Sequence, residues 1–196
     1  KAITIRSGAI IAAANTTTMN PDLYFGLGGA SDALIWANTG ALQINGKIFA
    51  SNVIKSGTNA LNIQSDQSQF TGDWIVNGGT LQFLTPNAAS TGDVIINGAH
   101  IADNDSVYNL AGVQYNFNSQ SPDPFTWSGG KVTLNDIGFI RSVATNDRVD
   151  RLPSAGIDLK TTGGAGAQSI VFFQSDASRH TTETGTVTLF DNYTIS

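Results

Sequence analysis

Two stretches of this chain are near copies of one another: TGDWIVNGGTL at residues 71–81 and TGDVIINGAHI at residues 91–101. A unit this short cannot enclose a core by itself and must stack on neighbours that close its apolar side. Within each copy apolar and polar residues alternate, which sends every second side chain to the same face of a strand. The pattern predicts a β-solenoid with coils of about 20 residues, in which Trp74 and Val76 stack on Val94 and Ile96, and Leu81 on Ile101. If that period held throughout, the 196 residues would make at most about ten coils.

The segment GALQINGKI, residues 40–48, reads as a third copy when the Asn-Gly steps at Asn45, Asn77 and Asn97 are superimposed. A glycine stands five residues before the asparagine in each: Gly40, Gly72 and Gly92. Asn and Gly tolerate a left-handed backbone, so each Asn-Gly step is read as a turn between two strands of one coil. A hairpin uses the same dipeptide, but a hairpin does not recur at a fixed spacing.

Composition agrees with strands and turns. Charged residues are only 13% of the chain, Glu occurs once, at Glu183, and Lys five times, so the residues that usually cover exposed helix are scarce. With 40% hydrophobic residues the chain has the material for a buried core. Net charge is −5 and the basic residues are scattered, which argues against nucleic acid as a partner. There is no cysteine, hence no disulfide or thiolate site, a composition that suits export through an oxidising compartment. No apolar run is long enough to span a membrane, and the first residues do not read as a signal peptide, so the sequence is taken as mature or excised protein.

Along the chain, residues 1–145 are read as solenoid coils with loop excursions, the clearest repeats falling at 40–102. Asn20-Pro21-Asp22 and Gly28-Gly29 mark residues 15–40 as a first loop or excursion. A second is read at 103–125. The dense charge of Asn146-Asp147-Arg148-Val149-Asp150-Arg151 followed by Pro153 marks 146–155 as an exposed loop. Residues 156–196, with GIDLK, SIVFFQ and GTVTLF, are read as further coils that continue into a larger protein.

Residues 41–83, ALQINGKIFASNVIKSGTNALNIQSDQSQFTGDWIVNGGTLQF, contain Lys55-Ser56-Gly57, Leu61-Asn62-Ile63, Phe70-Thr71-Gly72 and Val76-Asn77-Gly78-Gly79-Thr80-Leu81 in that order. In this the segment resembles the autotransporter-associated β-strand repeat of bacterial surface-protein passenger domains. The resemblance covers about a third of the chain, residues 41–101. It implies a right-handed parallel β-helix displayed outside the cell, associated with the outer membrane through a region not present in this stretch. The second copy departs from it, with Ala99-His100 where the first has Gly79-Thr80.

Several residue groups invite a chemical reading. Trp36, Trp74 and Trp127, with Tyr24, Tyr108 and Tyr115, could form an aromatic track for sugar rings. Core packing is preferred, because Trp74 takes an aliphatic position of its repeat. Asp103 and Asp105 alternate as calcium ligands do but lack the rest of such a loop. Gly163-Gly164-Ala165-Gly166-Ala167 lacks both the aspartate of a calcium nonapeptide and the lysine of a phosphate loop. His100 and His180 sit in no triad motif. Asp147, Asp150 and Asp158 offer carboxylate pairs only at the rate that fourteen aspartates provide by chance. Asn15, Asn104 and Asn192 begin chance Asn-x-Ser/Thr sequons.

No catalytic, metal or cofactor-binding residue is therefore assigned, and no cofactor is expected. The favoured reading is a non-catalytic surface module: a stalk, a self-associating surface or filament component, or an adhesin. Its partners would be copies of itself, other surface proteins, glycans or a host surface. The alternative is a polysaccharide-binding or polysaccharide-cleaving β-helix, resembling tailspikes or pectin lyases in architecture alone.

Overall fold

The computed structural model describes residues 1–12, 15–98, 110–116, 125–143, 148–151, 155–160, 168–175, 179–182, 187–189 and 192–195. Among these the chain is all-β. Helix is confined to one 3-10 turn, Leu27–Gly29, and no helix is long and apolar enough to cross a membrane.

The strands form four sheets in which the order across the sheet is the order along the chain. Sheet I holds Ala2–Ile5, Asp22–Phe25 and Ile48–Phe49. Sheet II holds eight strands: Ile10–Ala12, Ala33–Ala37, Val53–Ser56, Trp74–Val76, Val94–Asn97, Val132–Asn135, Ile157–Lys160 and Val187–Leu189. Sheet III also holds eight: Thr17–Met19, Leu42–Ile44, Leu61–Ile63, Thr80–Phe83, Gly112–Asn116, Gly138–Val143, Gln168–Ser175 and Asn192–Ile195. Sheet IV holds Phe125–Thr126, Arg148–Arg151 and Arg179–Thr182.

The described pairings are all parallel. The chain alternates between the long sheets and returns to each one level further on, an arrangement compatible with a β-solenoid. Parallel neighbours cannot be joined by a tight hairpin, so every return needs an intervening strand elsewhere.

Alternation places the core. On sheet II the inward rows are Ala33, Val53, Trp74, Val94, Val132 and Ile157, and Ile35, Lys55, Val76, Ile96, Leu134 and Leu159. On sheet III they are Leu42, Leu61, Leu81, Val113 and Ile140, beside Ile44, Ile63, Phe83 and Tyr115. All of these are buried. Thus Trp74 lies over Val94 and Val76 over Ile96, as the repeat predicts.

Gly72 and Gly92 of the two Thr-Gly-Asp copies have a steric reason. A Cβ on Gly72 would sit 1.7 Å from the Ser51 carbonyl oxygen, and one on Gly92 would sit 1.8 Å from that of Gly72. Successive turns approach so closely there that only a hydrogen fits.

Several expectations are corrected. The level-to-level spacing is 25 residues between Asn20 and Asn45, 20 between Asn77 and Asn97, and 38 between Asn97 and Asn135. The period of about 20 therefore belongs to the middle of the chain. Leu81 pairs with Val113, because residues 99–109 are inserted before the next sheet III strand, and Ile101 lies outside the described residues. GALQINGKI is out of phase with the other two copies: Leu42–Ile44 is in sheet III, whereas Trp74–Val76 and Val94–Asn97 are in sheet II. Both sheets carry the same alternation, so the local pattern does not separate them.

The Asn-Gly steps are not left-handed turns either. Positive φ in this region is carried by Gly57, Gly79 and Ser90, not by Asn45, Asn77, Asn97 or the glycines that follow them. Residues 15–40, read as an excursion, contain Thr17–Met19, Asp22–Phe25 and Ala33–Ala37, which join sheets III, I and II. Within the segment read as a charged loop, Arg148–Arg151 is a strand of sheet IV, paired with Phe125–Thr126 and Arg179–Thr182. A parallel ladder is made by backbone groups, which accept charged side chains wherever these can point to water.

Candidate functional site

The outward face of sheet II separates into three rows. The middle row is aliphatic: Leu34, Ile54, Ile75 and Ile95 stand in register on successive strands. On one side, each strand is preceded by a polar residue, giving Asp32, Asn52, Asp73, Asp93 and Lys131. These are linked rung to rung. Asn52 Nδ2 donates to Asp32 Oδ1 at 3.0 Å, the Asp73 amide to Asn52 Oδ1 at 3.0 Å, the Asp93 amide to Asp73 Oδ1 at 3.1 Å, and the Lys131 amide to Asp93 Oδ1 at 2.7 Å.

On the other side runs an amide ladder. Asn97 Nδ2 donates to Asn77 Oδ1 at 2.9 Å and Asn135 Nδ2 to Asn97 Oδ1 at 2.8 Å. Stacking equivalent amides satisfies each one from the level beside it, as in other in-register parallel assemblies. This is the role that the Asn-Gly steps at Asn77 and Asn97 play.

Towards the N-terminal levels the same face becomes openly apolar. Ile11 is 68% exposed, Trp36 51% and Leu34 44%, with Ile11 directly beside Trp36 in register. Ala9, Leu34, Ile35, Trp36, Ile54 and Ser56 line a shallow groove of about 170 Å³. At the far end the middle row turns polar, with Thr133 and then Asp158. Asp158 is buried, its Oδ2 3.3 Å from Lys131 Nζ and 3.6 Å from Lys160 Nζ.

Beneath this face, Lys55 occupies a core position between Ile35 and Val76 and is fully buried. Its Nζ donates to the carbonyls of Ser56 at 2.9 Å, Gly57 at 2.7 Å and Gly78 at 2.6 Å. Three acceptors match the three donors of an ammonium. Desolvation opposes them and pulls the pKa from 10.5 down to about 7. Nothing in the alternation marks this position as polar. The only visible signal is a lysine where the period calls for an aliphatic residue.

The aromatic residues divide. Trp74, Tyr115 and Trp127 are buried in a continuous interior run, Phe70–Trp74–Phe83–Tyr115–Trp127, with ring centroids 4.8, 5.2, 5.6 and 5.1 Å apart. Trp74 Nε1 donates to the Ala89 carbonyl at 3.0 Å. These rings are core and form no sugar track. Tyr24 is half-buried and stacks on Phe49 at 4.2 Å. Trp36 stays outside.

Of the other candidates, Asp158 is held by two lysines. Asp150 and His180 lie on sheet IV strands, facing Phe125 and Val149 in the backbone register. Tyr108, Asp103, Asp105, His100, Asp147, Asn104 and residues 163–167 lie outside the described residues. The structure does not bring Asp150 and Asp158 onto one sheet.

No family model, no curated protein and no solved structure matches this chain.

Proposed function

We propose that this chain is a right-handed parallel β-helical segment of an exported bacterial surface protein, acting without catalysis as a stalk or self-associating surface component. The observation that carries the reading is the outward face of sheet II. It combines an in-register aliphatic row with exposed Ile11, Leu34 and Trp36 on a fold whose levels repeat along one direction. A strand face with a central aliphatic row suits side-by-side association, where complementarity over a surface matters more than any single group.

Export and surface location rest on the repeat resemblance and the absence of cysteine in the sequence. The test is assembly of the purified chain followed by sedimentation and electron microscopy. Concentration-dependent association into dimers or ordered arrays is the expected result. A chain that stays monomeric and turns over a polysaccharide overturns the reading.

Trp36 favours a second reading, a glycan-binding face. An exposed indole can stack on a sugar ring, but among the groove's side chains only Ser56 supplies a hydroxyl to hold the sugar's own. Binding on a glycan array that is lost in Trp36→Ala would shift the assignment to this alternative.

A further inference from the structure

We infer that Asn77 is a self-modification site, at which the Gly78 amide nitrogen closes onto the side-chain carbonyl carbon and converts the asparagine to aspartate or isoaspartate. The inference is independent of the self-association reading and concerns a reaction whose only co-reactant is water.

The chemistry is open in principle to any Asn-Gly step. Gly78 N bonds to Asn77 Cγ and gives up its proton to solvent, while the Cγ–Nδ2 bond breaks and Nδ2 leaves as ammonia. Water then opens the five-membered imide at one of its two carbonyls. One opening restores the original backbone with an aspartate side chain, and the other routes the backbone through the former side chain as isoaspartate. Glycine in the second position leaves the attacking nitrogen uncrowded, since it has no Cβ.

Three such steps occur, at Asn45, Asn77 and Asn97, and the fold treats them differently. Asn97 is clamped at every group the reaction moves. Its Nδ2 donates to Asn77 Oδ1 at 2.9 Å, its Oδ1 accepts from Asn135 Nδ2 at 2.8 Å, and the Gly98 amide donates to the Asn135 carbonyl at 3.0 Å. Asn45 is held at both ends of its side-chain amide, Nδ2 donating to Asn20 Oδ1 at 2.7 Å and Oδ1 accepting from Gln43 Nε2 at 2.9 Å. Gly46 beside it is buried, and a Cβ there would lie 2.0 Å from the Pro21 carbonyl oxygen.

Asn77 is the exposed one of the three. As the first asparagine of its ladder it is held through Oδ1, by Asn97, and among the described residues neither its Nδ2 nor the Gly78 amide donates to a protein acceptor. Gly78 also has room to move, because a Cβ built there meets nothing closer than 3.4 Å. Closure at Asn97 must break three hydrogen bonds, and closure at Asn77 one. At roughly a factor of five per bond, the two extra bonds separate the rates by at least ~10-fold.

The two products differ in effect. Aspartate at position 77 still accepts from Asn97 Nδ2, in a bond that charge now assists. Isoaspartate adds one methylene to the backbone immediately before Gly78, whose carbonyl accepts from Lys55 Nζ at 2.6 Å, and so displaces that tie between levels.

The experiment ages the full chain in mildly alkaline buffer, folded and in denaturant, and follows each Asn-Gly step by peptide mapping with mass spectrometry. Isoaspartyl methyltransferase labelling separates the two acids. The expected result is conversion at Asn77 at least ~10-fold ahead of Asn45 and Asn97 in the folded chain, with the three alike in denaturant. Gly78→Ala should slow it, and Asn77→Asp should keep the parent's urea midpoint while the isoaspartate-bearing fraction unfolds earlier. If Gly78→Ala loses its β-spectrum by circular dichroism, the three-way comparison within the unmodified chain decides alone. Asn45 or Asn97 converting as fast as Asn77 in the folded chain overturns the inference. So does an Asn77 that survives in the folded chain while all three convert in denaturant.

Discussion

The Lys55 ammonium reaches the Gly78 carbonyl on the next level at 2.6 Å, from a row whose neighbouring members are Ile35 and Val76. While protonated, this one group therefore ties two turns together inside a largely apolar interior. Lys55→Met keeps the length of the chain and removes the donors, leaving the carbonyls of Ser56, Gly57 and Gly78 without this partner. The expected loss is about 1–3 kcal/mol, from the cost of stranding buried acceptors. Denaturant unfolding measures it, and a variant as stable as the parent would show that the ammonium contributes nothing net.

The same lysine sets a pH dependence. Its pKa is 10.5 in the unfolded chain and about 7 when buried. Between these values the unfolded state still holds a proton that the folded state has released, so stability rises with pH across this window. The contribution is present above 10.5 and lost as pH falls to about 7. Subtracting the Lys55→Met profile from that of the parent isolates it. A difference curve that is level from pH 7 to 10.5 would mean the three carbonyls restore the whole affinity for the proton.

Gly72→Ala places a methyl 1.7 Å from the Ser51 carbonyl oxygen. Backbone must move, and the expected cost is about 1–3 kcal/mol or more. Gly28→Ala is the companion measurement: φ is +67° but no atom lies within 4 Å, so about 1–2 kcal/mol of backbone strain is all it should add. Thermal unfolding of the pair separates collision from conformational strain. Equal losses would count against close packing of the turns.

Gln67 ends sheet I. Its Oε1 accepts from the Ile48 amide at 2.8 Å and its Nε2 donates to the Gly46 carbonyl at 3.1 Å, so one side chain does what a fourth strand would do. Gln67→Leu should lower stability by about 1–3 kcal/mol and speed hydrogen exchange at the Ile48 amide. Unchanged exchange at Ile48 would contradict the capping role.

Trp74→Ala empties a fully buried site and should cost about 3–5 kcal/mol, whereas Trp36→Ala, on the surface, should change monomer stability by no more than about 0.5 kcal/mol. Urea midpoints of the two variants make the comparison. Similar losses would mean that Trp36 packs against the body of the molecule.

The repeat itself made Trp74 over Val94 and Val76 over Ile96 legible, because a two-residue alternation repeated at a fixed spacing puts the same apolar face inward at each level. It misled at GALQINGKI, since sheets II and III alternate alike and only the register of Leu42 against Leu61 tells them apart. It also misled at residues 15–40, where turn residues are real but the three short strands between them are too brief to stand out.

Sequence alone was enough for strand over helix, parallel stacking, and burial of Trp74, all of which follow from local alternation and period. Tertiary structure decided the rest: that Asn77, Asn97 and Asn135 form a ladder, that Lys55 is interior, that Gln67 closes a sheet, and that Trp36 alone among the three tryptophans faces outward. Those outcomes depend on which residues stand one level above and below, and the insertions that set that register carry no periodic signal of their own.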